Sequence, residues 1–153
     1  MIGVSDKPID PPSLLATFIA SVAGAGGIAS FTGVVRESNE GGEVERLWLD
    51  FHGQLTVSAL NEIGGDTRTR FALIDIAIVH RVGTVLPGEP IVFVAAGAEH
   101  RRAAFDAVDY AMDRVKTEAP FWKRETRDGT DHWIEARPSD HDHRARWEDE
   151  FGR

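Results

Sequence analysis

The period of the apolar positions changes repeatedly along the chain, and each change predicts an element. Residues 1–9 read as a loose start. Asp10-Pro11-Pro12-Ser13 then offers capping side chains and prolines suited to a first helical turn, which predicts a short helix through "LLATFIASV". "GGIASFTGVVRES" is rich in β-branched and aromatic residues and predicts a strand running to Arg36, after which "NEGGE" is a turn. In "VERLWLDF" Leu47, Leu49 and Phe51 alternate with Arg46, Trp48 and Asp50, the period of a half-buried strand.

From Leu55 to Phe71 the positions Leu55, Ala59, Leu60, Ile63 and Thr67 follow a helical period. Gly64-Gly65 interrupts that helix at a cost of roughly 1 kcal/mol per glycine relative to alanine, so either tertiary packing holds it or it breaks there. "FALIDIAIVHRVG" and "EPIVFVAAGA", separated by the Pro-Gly turn of "TVLPGEP", predict an antiparallel pair. In "EHRRAAFDAVDYAMDRVKTEA" Phe105, Val108, Met112 and Val115 form one apolar stripe, which Pro120 stops. "FWKRET" and "HWIEA" flank Asp128-Gly129 as a β-hairpin, and the polar tail "RPSDHDHRARWEDEFGR" has room for a last helical turn.

Adjacent strands joined mostly by hairpins rather than helical crossovers predict an α+β fold with a largely antiparallel sheet and flanking helices. The 153 residues, 42% hydrophobic and 27% charged, suit one domain over 1–153, with 1–9 and about 141–153 flexible. No stretch approaches the ~20 apolar residues of a membrane span, and "MIGVSDKPID" lacks the basic, apolar and cleavage regions of a secretory signal. A cytoplasmic protein with no membrane partner is expected.

Candidate chemistry is narrowed first by what is missing. Cysteine is absent, which removes disulfides, thiolate metal sites and thiol nucleophiles. A formal net charge of −8 argues against nucleic acid as a partner, because neutralising phosphates calls for a broad basic surface. His80, His132, His141 and His143 have no metal-ligand spacing, so no metal is expected. Against this acidic background "KTEAPFWKRET" gathers Lys116, Lys123 and Arg124 around Pro-Phe-Trp, a local place for something negative.

His100-Arg101-Arg102 opens a helix, where cations oppose the partial positive charge unless they share an anion with the free N–H groups. A solvated first turn is the plainer alternative. Lys116 sits at the far end of the same helix, where a cation suits the dipole and by itself says little. Lys123, following Phe121-Trp122, is walled by aromatic residues that would desolvate it and lower its pKa, unless it is an edge-strand lysine with Trp122 in the core. Arg36 ends its strand with a fork suited to phosphate or carboxylate, or is simply solvated.

Taken together, "SFTGVVR", "HRVGTVLPGEPIVFVAAGAEHRRAAFDAVDYAMDRVKTEAPFWKRE" and "HWIEAR" resemble the catalytic (large) subunit family of molybdopterin synthase, over roughly residues 26–147. The resemblance implies an α/β hammerhead-type fold and a homodimer, each chain of which accepts the C-terminal Gly-Gly tail of a small ubiquitin-like sulfur carrier to give a heterotetramer. The thiocarboxylate on that tail would supply sulfur to cyclic pyranopterin monophosphate, two transfers building the molybdopterin dithiolene. No cofactor is implied. Lys116 and Lys123 match the family's two active-site lysines. Arg36, His100 and Arg101 match residues lining the anionic substrate pocket, Arg137 matches an arginine supplied across the dimer interface, and Phe31 and Met112 match apolar pocket positions. "LDFHGQL", with Asp50, Phe51, His52 and Leu55, departs from the family pattern. A non-catalytic module that binds an anion, a pterin or the carrier is the competing reading.

Overall fold

The computed structural model describes residues 1–149. In chain order the elements are β1 (Ile2–Ser5), α1 (Pro11–Ser21), β2 (Gly27–Val34), β3 (Ser38–Asn39), β4 (Gly42–Glu43), β5 (Arg46–Phe51) and α2 (Gly53–Arg70). There follow β6 (Asp75–Arg81), β7 (Gly83–Val85), β8 (Pro90–Ala98), α3 (Arg101–Glu118), β9 (Phe121–Arg127), β10 (Thr130–Ile134) and α4 (Pro138–Asp149).

One sheet has the order β1-β6-β8-β2, with β6 and β2 antiparallel to β8 and only β1 parallel to its neighbour. Helices cover both of its faces. Ile76, Ile78, Val92 and Val94 meet Leu60 and Ile63 of α2 and the alanines 104, 107 and 111 of α3. Ala77, Phe93 and Ala95 on the reverse face meet Phe18 of α1 and Val22, which follows it. A strand buried on both sides needs no polar alternation, which is why "IVFVAAGA" reads as a continuous apolar run.

The second sheet, β10-β9-β5-β7, is antiparallel throughout, and its inner face is built on Leu47, Leu49 and Val85. The expected β6/β8 pair forms in the first sheet, while β7, lying between them in sequence, crosses into the second. The hairpin about Asp128-Gly129 forms as expected, with both residues at positive φ (48° and 68°), the backbone of a two-residue turn that follows the strand twist.

Two expectations change, and one open alternative is decided. The loose start contains β1, whose four residues pair with β6 from Ile2↔Ile78 to Ser5↔Arg81 and are too few to show a period. The same strand explains Gly64: α2 runs unbroken through both glycines, and a Cβ on Gly64 would collide with Ile2 Cδ1, whereas one on Gly65 would meet open space. The tail forms not a turn but a helix of 12 residues, which packs against α3, and 150–153 lie outside the described residues. Its one buried apolar residue, Trp147, packs edge-on to Phe71 and Tyr110 and donates its Nε1–H to Asp113 at 2.8 Å, too small an apolar face to leave a pattern in the sequence.

The α3 stripe is also different from that expected. Val108 and Val115 are buried, but Met112 is only partly so and Phe105 is 58% exposed. Alanines take the core face, because a helix lying close on a sheet needs small side chains there, and Phe105 and Met112 are left to line a groove.

Candidate functional site

The end of α3, the start of β9 and the segment joining β10 to α4 converge beside the connection that follows β2. Between them lie two cavities of about 470 and 600 Å³, both lined by Arg36, Lys116, Lys123 and Arg137. The smaller also holds Arg127, Glu125 and Asp140. The larger adds Phe31, Met112 and His80, and no carboxylate lines it. A groove of about 330 Å³ between β2 and α3, lined by Phe31, Phe105 and Met112, runs up to Lys116. Lys116 is therefore the point at which all three spaces meet.

The alternation of β9 decides what enters the site. Phe121, Lys123 and Glu125 turn toward the cavities, and Trp122 and Arg124 turn away. Arg124 lies instead between Trp48 and Trp133, with its guanidinium carbon 6.0 and 5.9 Å from the two ring centres. Trp122 is 49% exposed, so it neither walls Lys123 nor enters the core. The desolvation expected of Lys123 nevertheless holds: burial first, and then the charge on Lys116, pushes its ammonium below the usual lysine value, with Asp140 acting in the opposite direction.

Lys116 Nζ lies 3.1 Å from Asp140 Oδ1, and the other oxygen of Asp140 accepts the Arg137 N–H at 3.0 Å. Partial burial works against the Asp140 carboxylate, but the Arg137 N–H and the Lys116 ammonium together hold it below its ordinary pKa. Arg127 is paired with Glu125 at 3.0 Å. Among the described residues, the side chains of Arg36, Lys123 and Arg137 make no ion pair. An acidic protein thus keeps three cations without an ion-pair partner around one space, which costs energy unless an anion enters.

Of the residues singled out in the sequence, Lys116, Lys123, Arg36, Arg137, Phe31 and Met112 are brought together. His100 and Arg101 are not. They are exposed at the N-terminus of α3, roughly 20 Å from Lys116 at 1.5 Å of rise per residue, and the nearest charge to His100 is Glu99 at 3.7 Å. Arg137, expected to complete a neighbouring chain's pocket, lines the cavities of its own chain, where the start of α4 folds over the end of α3. The departing residues Asp50, Phe51, His52 and Leu55 line neither cavity.

Asp140 and His80 were not marked as members of the site in the sequence, and neither were Glu125 and Arg127. Asp140 lay in a tail with no visible period. His80 was weighed only as a metal ligand; the signal available was a lone polar residue inside the apolar run "IAIVHRVG", which a satisfied core histidine also gives. Among the described residues no group of three or more His, Asp or Glu side chains is placed to hold a metal, and no helix is long and apolar enough to cross a membrane.

Residues 4–118 match the family model described as MoaE protein. The chain belongs to the MoaE family. A molybdopterin synthase catalytic subunit from Caulobacter vibrioides is 43% identical over 150 residues, covering 98% of this chain and 99% of that one. The Pseudomonas aeruginosa protein of the same name is 40% identical, covering 97% and 99%. Among solved structures, a MoaE protein from Burkholderia ambifaria superposes with a TM-score of 0.80 at 38% identity, covering 94% of this chain and 95% of that one. The α+β class and the reading as a sulfur-transfer enzyme of molybdopterin biosynthesis agree with MoaE membership. Lys123 and Arg137 fall beyond the matched residues of the family model, so their place in the site rests on the geometry described above.

Proposed function

We propose that the converging cavities hold the two anions of a sulfur transfer, the C-terminal thiocarboxylate of a small ubiquitin-like carrier and cyclic pyranopterin monophosphate. The observation that carries this reading is the cavity of about 600 Å³ lined by four cations and no carboxylate. Two anions repel each other as they approach, and fixed cations in a confined site offset that repulsion and stabilise charge that develops during transfer.

The groove of Phe31, Phe105 and Met112 suits an extended, small-residue tail, and it delivers the tail's end to Lys116. Lys116 then faces the carrier's terminal carbonyl, while Lys123, less solvated and beside Arg36, serves the pterin and its cyclic phosphate. Each transfer breaks the bond from sulfur to the acyl carbon and forms a bond from sulfur to a precursor carbon, which gives up its bond to oxygen. That oxygen stays on the phosphate where the cyclic ester opens and leaves as water at the other carbon. Water supplies the oxygen that leaves the carrier as a carboxylate. Two such transfers complete the dithiolene, so two thiocarboxylates are consumed per product.

The reading also takes the protein as a homodimer with a carrier on each chain, a heterotetramer. Its support is the placing of His100 and Arg101 far from their own chain's cavity, where a second copy would bring them to an anion. The test is to mix the protein with thiocarboxylated carrier and precursor and look for a dithiolene pterin. Product that depends on the thiocarboxylate supports the reading. Precursor binding without product identifies a pterin-binding module instead and overturns it.

A further inference from the structure

His80 has no part in the transfer described above, yet it occupies the same cavity. It lies near the end of β6 opposite Val92 of β8, and only 3% of it is exposed. Its ring stacks on Phe121, with centroids 4.0 Å apart and planes 23° from parallel, so its orientation is fixed. Nδ1 lies 2.8 Å from the carbonyl oxygen of Arg81. A carbonyl can only accept, so Nδ1 carries the proton and Nε2 presents a bare lone pair. Nε2 has no hydrogen-bond partner among the described residues and is not sealed from solvent; the space it opens to is the cavity of about 600 Å³.

The other polar side chains around that cavity are Arg36, Lys116, Lys123 and Arg137, all donors, and the Thr32 hydroxyl. Donors suit a phosphate or a thiocarboxylate, but they cannot engage the N–H groups of a pterin ring. Burial, with the charge of Lys123 adding to it against the Arg81 hydrogen bond, keeps the His80 pKa at about 4, so the lone pair is present at neutral pH.

We propose that His80 is a substrate-positioning residue whose Nε2 accepts a hydrogen bond from an N–H of the pterin bound in this cavity, an assignment that rests on the sulfur-transfer reading. With Nδ1 tied to the backbone and the ring clamped on Phe121, the acceptor is held on the scaffold rather than on a loop. It turns one edge of the bicyclic system toward His80, which leaves the phosphate to the cations.

The test combines calorimetry with nitrogen NMR of the intact protein. Wild-type chain that fails to bind cyclic pyranopterin monophosphate overturns the sulfur-transfer reading itself. Where wild-type binds, the His80 Nε2 resonance, assigned by its loss in His80→Gln, should shift on addition of precursor. Precursor affinity should fall about tenfold in His80→Leu and return to within about threefold of wild-type in His80→Gln, whose amide oxygen can accept, as befits a single hydrogen bond. An unmoved Nε2 resonance in a protein that binds precursor overturns the proposal, and so does a His80→Gln affinity no better than that of His80→Leu. The NMR measurement uses the wild-type fold, so a variant that folds poorly leaves the question decidable.

Discussion

Lys116 Nζ stands 3.1 Å from Asp140 Oδ1, so the lysine at which all three spaces meet already holds an anion of its own chain. The same carboxylate accepts the Arg137 N–H at the start of α4, which ties the position of that helix to the charge of the site. An incoming anion must share Lys116 with Asp140 or displace it. Asp140→Asn keeps an oxygen for the Arg137 N–H and removes the competing charge. Binding of inorganic phosphate, followed by calorimetry at low salt, should therefore tighten severalfold. The Lys116 side chain is half-exposed, and such a pair contributes about 0–1 kcal/mol, so the melting temperature should change little. Weaker phosphate binding in the variant would mean that Asp140 holds Lys116 in place rather than competing for it.

His80 gives the fold a specific dependence on pH. Its pKa falls from 6.5 to about 4 on folding, so between those values the unfolded chain binds the extra proton. Stability therefore rises with pH across that window and is lost as pH falls through it. At 1.36 kcal/mol per unit the contribution is about 3 kcal/mol. In His80→Phe, which can keep the stack on Phe121, melting curves recorded between pH 4 and 6.5 should show a flatter dependence than in wild type. Equal slopes would show that His80 is not held neutral by the fold.

Much of the fold could be read from periodicity because it depends on neighbours in sequence: β5, the β6/β8 pair, and the hairpin about Asp128-Gly129. What stayed hidden depends on partners distant in the chain. Gly64 makes sense only once Ile2 lies against it, and α4 only once Trp147 meets Phe71 and Tyr110. In the site, lysines 116 and 123 stood out as cations in an acidic chain, whereas His80 carries no charge to betray it and becomes notable only through the cavity it borders. The grouping of Arg124 with the lysines failed for a local reason, since adjacent residues in a strand face opposite ways.

The two glycines of α2 should respond differently to alanine. At Gly65 the new methyl meets open space, so Gly65→Ala should stabilise by about 0.5–1 kcal/mol through helix propensity. At Gly64 the same gain is offset because Ile2 must move, leaving a net effect near zero or unfavourable. Urea denaturation of the two variants separates these outcomes. Equal gains at both positions would mean that β1 does not pack against α2 at Gly64.

Subunit mixing tests which residues belong to which site. Lys116→Ala chains mixed with Arg101→Ala chains should recover activity, because one of the two sites in a mixed dimer would be intact, about a quarter of all sites after full exchange. Lys116→Ala mixed with Arg137→Ala should recover nothing, since both residues serve the same chain's cavity. The reverse pattern would return Arg137 to the dimer interface and remove Arg101 from the site.

The most direct measurement is single-turnover sulfur transfer by Lys116→Ala at saturating thiocarboxylated carrier and precursor. Lys116 sits half-exposed at a helix end, so its loss should leave folding and carrier binding largely intact. Losing a cation that stabilises the transition state costs several kcal/mol, so dithiolene formation should fall by at least about a hundredfold. A rate within about threefold of wild type, roughly 0.7 kcal/mol, would contradict the placing of sulfur transfer at the cations gathered around Lys116.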